Sequence, residues 1–301
     1  MHPQVDASLP SRIPVWLRLV GPVVAVVLLR RIDLREVGAS LAEARWQPLV
    51  LSLFLVAPLC LAKAWRWRLL LSACGRRISL REALWLYTIA AGAASLTPGA
   101  VGDFWKGLSP VVGSKSVGLW TSAIDRLYDL ALLVLLGLVI SVAWLHGRAS
   151  KAIGSALLVV AVLALWTVRR RVLDLATSLL PRFPRAASAL HQSAPAAASA
   201  TILATIVALV RFQLLVAALA LPLPWPQSLV AFVLTSGVAA LPLSVAGLGT
   251  RDVALLGYLR ACGISSADAI ALSSLCLLLF VWNGVVAAGL WLLQPPRPAT
   301  I

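Results

Sequence analysis

Residues 117–145 read VGLWTSAIDRLYDLALLVLLGLVISVAWL, and this stretch decides which class of fold the chain adopts. Its charged side chains are Asp125, Arg126 and Asp129, and the residues that follow them are apolar. A helix needs about 20 mostly apolar residues to cross the hydrocarbon core of a bilayer. The stretch exceeds that length, so we expect a membrane-spanning helix that tilts or breaks.

The composition of the whole chain also indicates a membrane protein. The residues are 60% hydrophobic and 12% charged, with a mean hydropathy of +0.93, whereas about 25% of residues are charged in ordinary soluble domains. The apolar residues come in long runs rather than in alternation, which argues against an outer-membrane barrel. We therefore predict an all-α integral membrane protein.

The long apolar runs predict about eight transmembrane helices. We place them at 14–29, 47–64, 82–97, 117–145, 152–168, 198–220, 226–242 and 267–293. No segment between them reaches the roughly 50 residues of a small domain, so we treat 1–301 as a single transmembrane domain. Within it we expect a first repeat at about 47–145, a second repeat at about 198–293 and an interfacial linker at 169–197.

The chain is strongly basic, with 26 Lys and Arg residues against 11 Asp and Glu and a formal net charge of +15. Basic residues cluster between the apolar runs, which is typical of topology determinants and of contacts with anionic lipid head groups. We therefore expect a multi-pass protein of the cell inner (plasma) membrane, with cytoplasmic termini and no nucleic-acid partner. The four cysteines and three histidines show no metal-ligand spacing, and we expect neither metal nor cofactor.

Two segments, 95–106 and 241–252, resemble each other. Each follows an apolar run, has a proline near its start, continues through glycines and closes with an aspartate within three residues of a basic residue. Their candidate site residues are Pro98, Gly99, Gly102, Asp103 and Lys106 in the first, and Pro242, Gly247, Gly249, Arg251 and Asp252 in the second. Proline and closely spaced glycines do not sustain a regular helix, and interrupted hydrophobic segments in both halves are typical of transporter repeats. We predict two re-entrant, broken-helix hairpins in an inverted-repeat arrangement; the alternative is a pair of surface turns at helix ends.

Charged residues within the apolar runs form a third set of candidates. Asp125 and Asp129 are four residues apart and share a helix face, and Arg126 lies close enough to Asp129 to pair with it. Arg211 stands alone in the run 201–221, so we expect it to face the interior and pair with an aspartate or a lipid phosphate. Ionisable groups inside membrane helices are costly and mark functional positions. The alternatives are solvated charges at a helix start and, for Arg211, snorkelling to the interface.

At these residues the chain resembles the lysylphosphatidylglycerol synthase transmembrane-region family, a flippase-like domain. The matching motifs are Arg66-Trp67-Arg68-Leu69-Leu70 after the second span, Pro98-Gly99 with Gly102-Asp103 and Lys106, Asp125-Arg126 with Asp129, and Pro242-Leu243-Ser244 with Gly247-Leu248-Gly249 and Arg251-Asp252. Two positions depart from the family pattern, which usually has arginine where Ala100 stands and more often glutamate where Asp252 stands. A member that binds a different head group would explain both departures.

The resemblance implies lipid translocation by a stand-alone member without the synthase domain. We therefore expect a flippase or transporter rather than an enzyme, moving an anionic or isoprenoid-linked lipid head group across the inner membrane. The cations Arg66, Lys106, Arg126, Arg211 and Arg251 would hold phosphate, and the aspartates would neutralise them when the site is empty. The expected partner is a membrane lipid, either a phospholipid or a polyprenyl-phosphate-linked sugar, with a second copy or a lipid-modifying enzyme as a further partner.

Two other functions stay open at the level of sequence. The first is a membrane-embedded transferase that acts on a polyprenyl-phosphate donor, with Asp103 or Asp125 as general base. The second is an accessory subunit that stabilises a glycosyltransferase. No P-loop, metal-binding HExxH pair or GxSxG elbow occurs in the chain, so ATP-driven transport by this chain alone is not expected.

Overall fold

The computed structural model describes residues 34–95, 97, 101–144, 184–240 and 249–292. Within these ranges the chain forms helices and their connections and contains no β-strand. Three stretches of the described chain are long and apolar enough to cross a membrane: Trp46–Ala73, Leu190–Ala218 and Ser266–Leu292. The prediction of an all-helical membrane protein is therefore confirmed.

The helices follow the predicted runs closely at most positions. They are α1 Leu34–Ala42, α2 Trp46–Phe54, α3 Val56–Ala73, α4 Leu80–Ser95, α5 Trp105–Leu108, α6 Lys115–Trp144, α7 Pro184–Ala218, α8 Trp225–Ala240, α9 Thr250–Ala261 and α10 Ser266–Leu292. Short 3₁₀ turns at Val101–Phe104 and Pro110–Val112 flank α5. The predicted spans at 14–29 and 152–168 lie outside the described residues.

Two helices extend beyond their predicted limits. The run expected to end at residue 64 continues to Ala73, so Arg66 lies inside α3 rather than after the span. Residues 184–197, expected in the interfacial linker, form the first turns of α7, which continues through Pro195. The predicted limits followed the apolar runs, which charged residues or proline interrupt at these two places. Packing against other helices keeps the backbone helical beyond those interruptions. The rest of the linker, 169–183, is outside the described part of the chain.

The bundle has an apolar exterior as well as an apolar core, and it also buries charged side chains. Large apolar side chains such as Phe54, Leu203 and Val281 face outwards, with exposed fractions of 69%, 51% and 55%. By contrast, the side chains of Arg66 and Lys106 are fully buried. An apolar exterior suits contact with lipid tails, and charges avoid the hydrocarbon by facing the interior of the bundle.

The helices pack as two main pairs, and contact between α3 and α4 joins the two pairs. Helix α3 lies along α7, α4 lies along α10, and α3 also packs against α4. Trp67 of α3 is fully buried, and its indole Nε1 donates to Oγ1 of Thr121 in α6 at 3.2 Å. Trp85 of α4 donates to the carbonyl of Leu290 in α10 at 3.2 Å. The first bond holds α3 beside α6, and the second holds α4 beside α10.

Glycines bring the segment after α4 close to its neighbours. A Cβ added to Gly102 would overlap the backbone of Ala93 in α4. A Cβ added to Gly107 of α5 would overlap the backbone of Gly118 in α6, and the reverse is also true. Since only glycine permits such approaches, these positions fix Asp103 and Lys106 against α4 and α6.

The boundary between α2 and α3 is a break in one long apolar helix. It falls at Leu55 (φ −64°, ψ −3°), three residues before Pro58, which has no N–H to donate and cannot continue a regular helix without distortion. The last carbonyls of a helix lack partners within it. Here the carbonyl of Ser52 accepts from Arg211 Nε at 2.9 Å and the carbonyl of Leu53 accepts from Trp282 Nε1 at 3.0 Å.

Candidate functional site

Charged side chains from the first half of the chain gather between α3, α5, α6 and the 3₁₀ turn before α5. We call this group the first charge cluster, and it consists of Lys63, Arg66, Asp103, Lys106, Asp125, Arg126 and Asp129. All of these residues except Lys63 were predicted from the sequence. The structure therefore brings together residues that are far apart in the sequence.

Asp125 is the centre of the first charge cluster. Its Oδ1 accepts from Arg66 Nε at 2.6 Å, and its Oδ2 accepts from Lys106 Nζ at 2.8 Å. All three side chains are 0% exposed. Buried charges need both a partner and hydrogen bonds to be tolerated, and a carboxylate with one cation on each oxygen satisfies that requirement.

Asp129 extends the cluster towards α7 and the surface. Its Oδ1 accepts from Arg66 Nη1 at 2.7 Å, and its Oδ2 accepts from Lys63 Nζ at 2.8 Å. Arg66 Nη1 also donates to Oγ1 of Thr201 in α7 at 2.9 Å. The side chains of Lys63 and Asp129 are 25% and 21% exposed, so this edge of the cluster is reachable from outside.

Asp103 forms the opposite edge of the cluster. Its Oδ2 lies 2.9 Å from Lys106 Nζ and 3.0 Å from Arg126 Nε. Arg126 had been expected beside Asp129, but that acid is bonded to Arg66 and Lys63, and Arg126 reaches across to Asp103. The side chain of Arg126 is 29% exposed, so the cluster has a second partly open edge.

Aromatic rings line the buried cations. Lys106 Nζ lies 4.1 Å from the ring centre of Tyr87 and 5.7 Å from that of Trp67, and Arg66 Cζ lies 6.0 Å from the ring of Tyr128. Ring faces stabilise cations without neutralising them, by about 0.5–2 kcal/mol each. The rings therefore surround the buried cations without removing their positive charge.

Counted over the described residues, the first charge cluster holds one more cation than carboxylate. Four cations (Lys63, Arg66, Lys106 and Arg126) meet three aspartates there, a formal charge of +1 for these seven side chains. The Nη2 atom of Arg66 is buried and makes no hydrogen bond within the described residues. Arg66 therefore presents a buried donor that no described residue satisfies.

The second half of the chain contains a smaller group at the start of α9. We call it the second charge cluster, and it consists of Gly249, Arg251, Asp252 and Ser273. Arg251 Nη2 donates to Asp252 Oδ1 at 3.0 Å and to the carbonyl of Ser273 at 3.1 Å. Asp252 also accepts from the Ser273 hydroxyl and, at 2.8 Å, from the N–H of Gly249.

Asp252 therefore stabilises the N-terminus of α9 from the third position of the helix. Gly249, at φ 81°, occupies the capping position, and its N–H bonds to the carboxylate three residues later. A capping carboxylate stabilises the unpaired N–H groups of the first turn. Arg251 is 2% exposed, and its guanidinium lies 5.7 Å from the ring of Phe280.

Arg211 lies apart from both clusters. It was expected to pair with an aspartate or a lipid phosphate, and of these the aspartate is wrong for the described residues: Arg211 Nε donates to the carbonyl of Ser52 at 2.9 Å. Among the ion pairs between described residues, none involves Arg211. Its side chain is buried at 4% exposure, which rules out snorkelling to an interface in this structure.

The remaining candidate residues either contribute to packing or lie outside the described part of the chain. Gly102 approaches the backbone of α4, a role in packing that the sequence did not predict. Pro98, Gly99, Pro242 and Gly247 lie outside the described residues. Across the described ranges, no three His, Cys, Asp or Glu side chains come close enough to hold a metal ion.

Three residues of the site were not predicted from the sequence: Lys63, Thr201 and Tyr87. Lys63 lies three residues before Arg66 and therefore on the same face of α3, a spacing that the sequence displays. Thr201 and Tyr87 carry no such signal, because a threonine or tyrosine in an apolar helix is usually a packing residue. Only the fold brings them to the cations.

Comparisons with known proteins agree with the motifs. A family model described as lysylphosphatidylglycerol synthase TM region matches residues 15–289. No curated protein and no solved structure gives a match. The matched range covers most of the 301 residues and contains both charge clusters and Arg211. The chain belongs to the lysylphosphatidylglycerol synthase TM region family.

Proposed function

We propose that the protein is a lipid flippase that moves an anionic or isoprenoid-linked lipid head group across the inner membrane. The observation that carries the proposal is the first charge cluster, in which Arg66, Lys106 and Asp125 are fully buried within a helical membrane protein. Buried ionisable groups are costly in a membrane and are found where polar substrates or ions pass.

The arrangement of the cluster supports binding of a phosphate group. A bare anion in the hydrocarbon is prohibitively expensive, so the protein must supply cations that are themselves neutralised when no lipid is bound. Asp103, Asp125 and Asp129 do this by ion pairing. A phosphate that enters would accept from Arg66 Nη2 and draw Lys63 and Arg126 from their aspartates, and the charge of +1 would then be balanced by one phosphodiester.

The partly open edges suit this exchange of partners. Lys63 and Arg126 are 25% and 29% exposed, so each can reorient at low cost. Arg66 and Lys106, at the centre, are fixed by Asp125 and by the aromatic rings. The lipid tails would remain outside, against the apolar surface of the bundle.

The proposal includes the finer architecture expected from the sequence. We propose about eight spans, two inverted repeats and two re-entrant hairpins, with the protein in the inner membrane and its termini in the cytoplasm. The close approach of Gly102 to Ala93 and of Gly107 to Gly118 supports the first hairpin. The Gly249 cap and its bond to Asp252, after a proline- and glycine-bearing segment, support the second.

The geometry gives less support to a transferase. A general base needs a carboxylate oxygen within hydrogen-bond reach of the proton that it removes. Both oxygens of Asp125 already accept from cations, and Oδ2 of Asp103 lies within bonding distance of two. These carboxylates act as counter-ions for the neighbouring cations, which favours binding and release of a head group over proton abstraction.

A flippase assay tests the proposal. Protein reconstituted into phosphatidylcholine vesicles with tail-labelled fluorescent phosphatidylglycerol would be treated with dithionite, which bleaches only the outer leaflet. We expect wild-type protein to expose the inner-leaflet lipid, and Lys63→Gln and Arg126→Gln to slow this by at least about tenfold, equivalent to about 1.4 kcal/mol. Lys115→Gln is the matched control, since Lys115 is exposed at the start of α6.

The vesicle experiment has two results that would contradict the proposal. In the first, wild-type vesicles show the same bleaching as protein-free vesicles with every labelled lipid, anionic or isoprenoid-linked. Alternatively, Lys63→Gln and Arg126→Gln would transport at the wild-type rate, and the first charge cluster would then have no part in moving lipid.

A further inference from the structure

Arg211 is a buried cation that lacks an anionic partner in the described structure. Its Nε donates to the Ser52 carbonyl at 2.9 Å, and its Nη2 is buried and has no hydrogen-bond partner among the described residues. The side chain is 4% exposed. Arg66, by contrast, is held by two carboxylates and a hydroxyl.

This difference has an energetic consequence. A guanidinium removed from water loses several kcal/mol of solvation, and it regains this only with a counter-ion and well-placed acceptors. One backbone carbonyl satisfies a single donor of the five that arginine presents. The charge of Arg211 is therefore uncompensated by the described residues, and an external anion would compensate it.

The surroundings of Arg211 are suited to a lipid. The guanidinium bonds to the last turn of α2, at the break before α3. Leu51 and Phe54 on this turn are 51% and 69% exposed, and Val210, next to Arg211, is 44% exposed. Apolar side chains thus face outwards around a buried cation, a combination that would receive acyl chains and a phosphate together.

The position of Arg211 also relates it to the first charge cluster. Thr201, which bonds to Arg66, precedes Arg211 by ten residues on α7, and ten residues of α-helix extend about 15 Å. This is about half of the roughly 30 Å hydrocarbon thickness. Both residues also contact the same long helix, Thr201 through α3 and Arg211 through α2.

We infer that Arg211 is a second anion-binding position, which takes the phosphate of an anionic phospholipid about 15 Å along α7 from the first charge cluster. The role of this position in transport rests on the proposed function. Two phosphate positions at different depths would divide the movement of a lipid head group across the membrane into shorter steps. The binding site itself rests only on Arg211 and the break between α2 and α3.

Lipid counting by native mass spectrometry tests this inference. Delipidated protein in detergent would be titrated with phosphatidylglycerol, and the number of retained lipids would be measured. We expect two retained phosphatidylglycerol molecules for wild-type protein and one for Arg211→Gln, with at least a tenfold weaker second binding step. Phosphatidylcholine, which has no net charge, should give no specific second adduct.

Trp282→Phe provides a control for the helix break. Trp282 donates to the Leu53 carbonyl, next to the carbonyl that Arg211 binds, but it carries no charge. We expect Trp282→Phe to retain two lipids. Arg211→Lys keeps the charge and should also retain the second lipid, and thermal unfolding in detergent would verify that each variant is folded.

The possible results separate this inference from the proposed function. The inference would be overturned if Arg211→Gln still retained two lipids. It would also be overturned if Trp282→Phe lost the second lipid to the same extent as Arg211→Gln. A third result would also overturn it: inorganic phosphate abolishes the second phosphatidylglycerol adduct and added phosphatidylglycerol does not restore it, because the site would then take free phosphate. If Lys63→Gln and Arg126→Gln transport normally while Arg211→Gln alone loses a lipid, the proposed function fails and this inference stands.

Discussion

The two charge clusters are built from similar sequence motifs but in different ways. In the first, Arg66 bonds to Thr201 across 135 residues of sequence, and three aspartates share four cations. In the second, Arg251 bonds to its neighbour Asp252 and to Ser273, only 22 residues away. The first cluster joins several helices, whereas the second caps one helix and fixes it to the next.

The difference shows that an aspartate beside a basic residue is not by itself a binding motif. Asp252 stabilises its own helix terminus, because its carboxylate accepts from the N–H of Gly249. Asp103 takes part in a contact between segments, because Lys106 pairs both with it and with Asp125 of α6. Asp125, which bridges two cations from different segments, is what turns local pairs into a network.

The largest effect is expected from removal of the bridging carboxylate. Asp125→Asn leaves Arg66 and Lys106 buried with fewer counter-ions, and breaking a buried pair in this way costs about 3–5 kcal/mol. The measurement is the free energy of unfolding in mixed detergent micelles, with lipid transport assayed alongside. We expect transport to be lost.

Asp252→Asn is the matched variant in the second cluster. It weakens a helix cap and one ion pair, which costs about 1–2 kcal/mol, and transport should decrease less than in Asp125→Asn. Equal losses in both variants would remove the distinction between the clusters. A double variant, Asp125→Asn with Lys106→Met, should recover part of the stability, because one unpaired cation is then removed.

Backbone packing provides the next comparison. Gly118→Ala would place a Cβ against the backbone of Gly107, and such overpacking costs about 1–3 kcal/mol. It would also move α5, and Lys106 with it, away from Asp125. We expect slower transport together with a lower free energy of unfolding.

Gly257→Ala in α9 is the control for this change. No atom lies within 4 Å of a Cβ added to Gly257, and replacement of glycine by alanine within a helix stabilises by roughly 0.5–1 kcal/mol. The two glycine variants should therefore change unfolding in opposite directions. A change of the same sign in both would mean that the close approach of α5 to α6 does not govern stability.

Thr201→Val should have a smaller effect on stability. It removes the hydroxyl that accepts from Arg66 Nη1, although Asp129 still accepts from the same atom. We expect a loss of about 1 kcal/mol, measured by the same unfolding titration. Thr201→Ser keeps the hydroxyl and should remain within error of the wild-type protein; if it loses as much as valine does, the hydrogen bond is not the cause.

Lys63→Gln should have the smallest effect on stability. Its ion pair with Asp129 is partly exposed, and such pairs contribute only about 0.2–1 kcal/mol. Transport should nevertheless decrease by about tenfold or more, because Lys63 is one of the cations offered to the phosphate. A large loss of stability with normal transport would assign Lys63 to the fold rather than to the site.

Local spacing predicted those parts of the site that depend on a single helix. The four-residue spacing of Asp125 and Asp129 indicated a shared face, and both carboxylates do bond to Arg66. Apolar runs predicted most helix positions. These signals suffice because helix periodicity and hydrophobicity are properties of neighbouring residues.

Partner choice could not be predicted in the same way. Arg126 bonds to Asp103 rather than to Asp129, and Arg211 bonds to a carbonyl at a helix break rather than to an aspartate. Each of these pairs depends on which helices lie side by side. For the same reason α3 includes Arg66, whose charge would be too costly in an isolated apolar helix but is neutralised by Asp125 and Asp129.

Photolabelling with a reactive lipid tests most directly whether the first charge cluster binds the head group. Phosphatidylglycerol with a diazirine on its glycerol head group would be bound to wild-type protein, illuminated and mapped by peptide mass spectrometry. The account predicts label on α3, α6 and α7 near Arg66, including Tyr128 and Thr201, which both lie beside it. Label confined to α9 and α10 near Arg251, or to the ends of the helices, would contradict it.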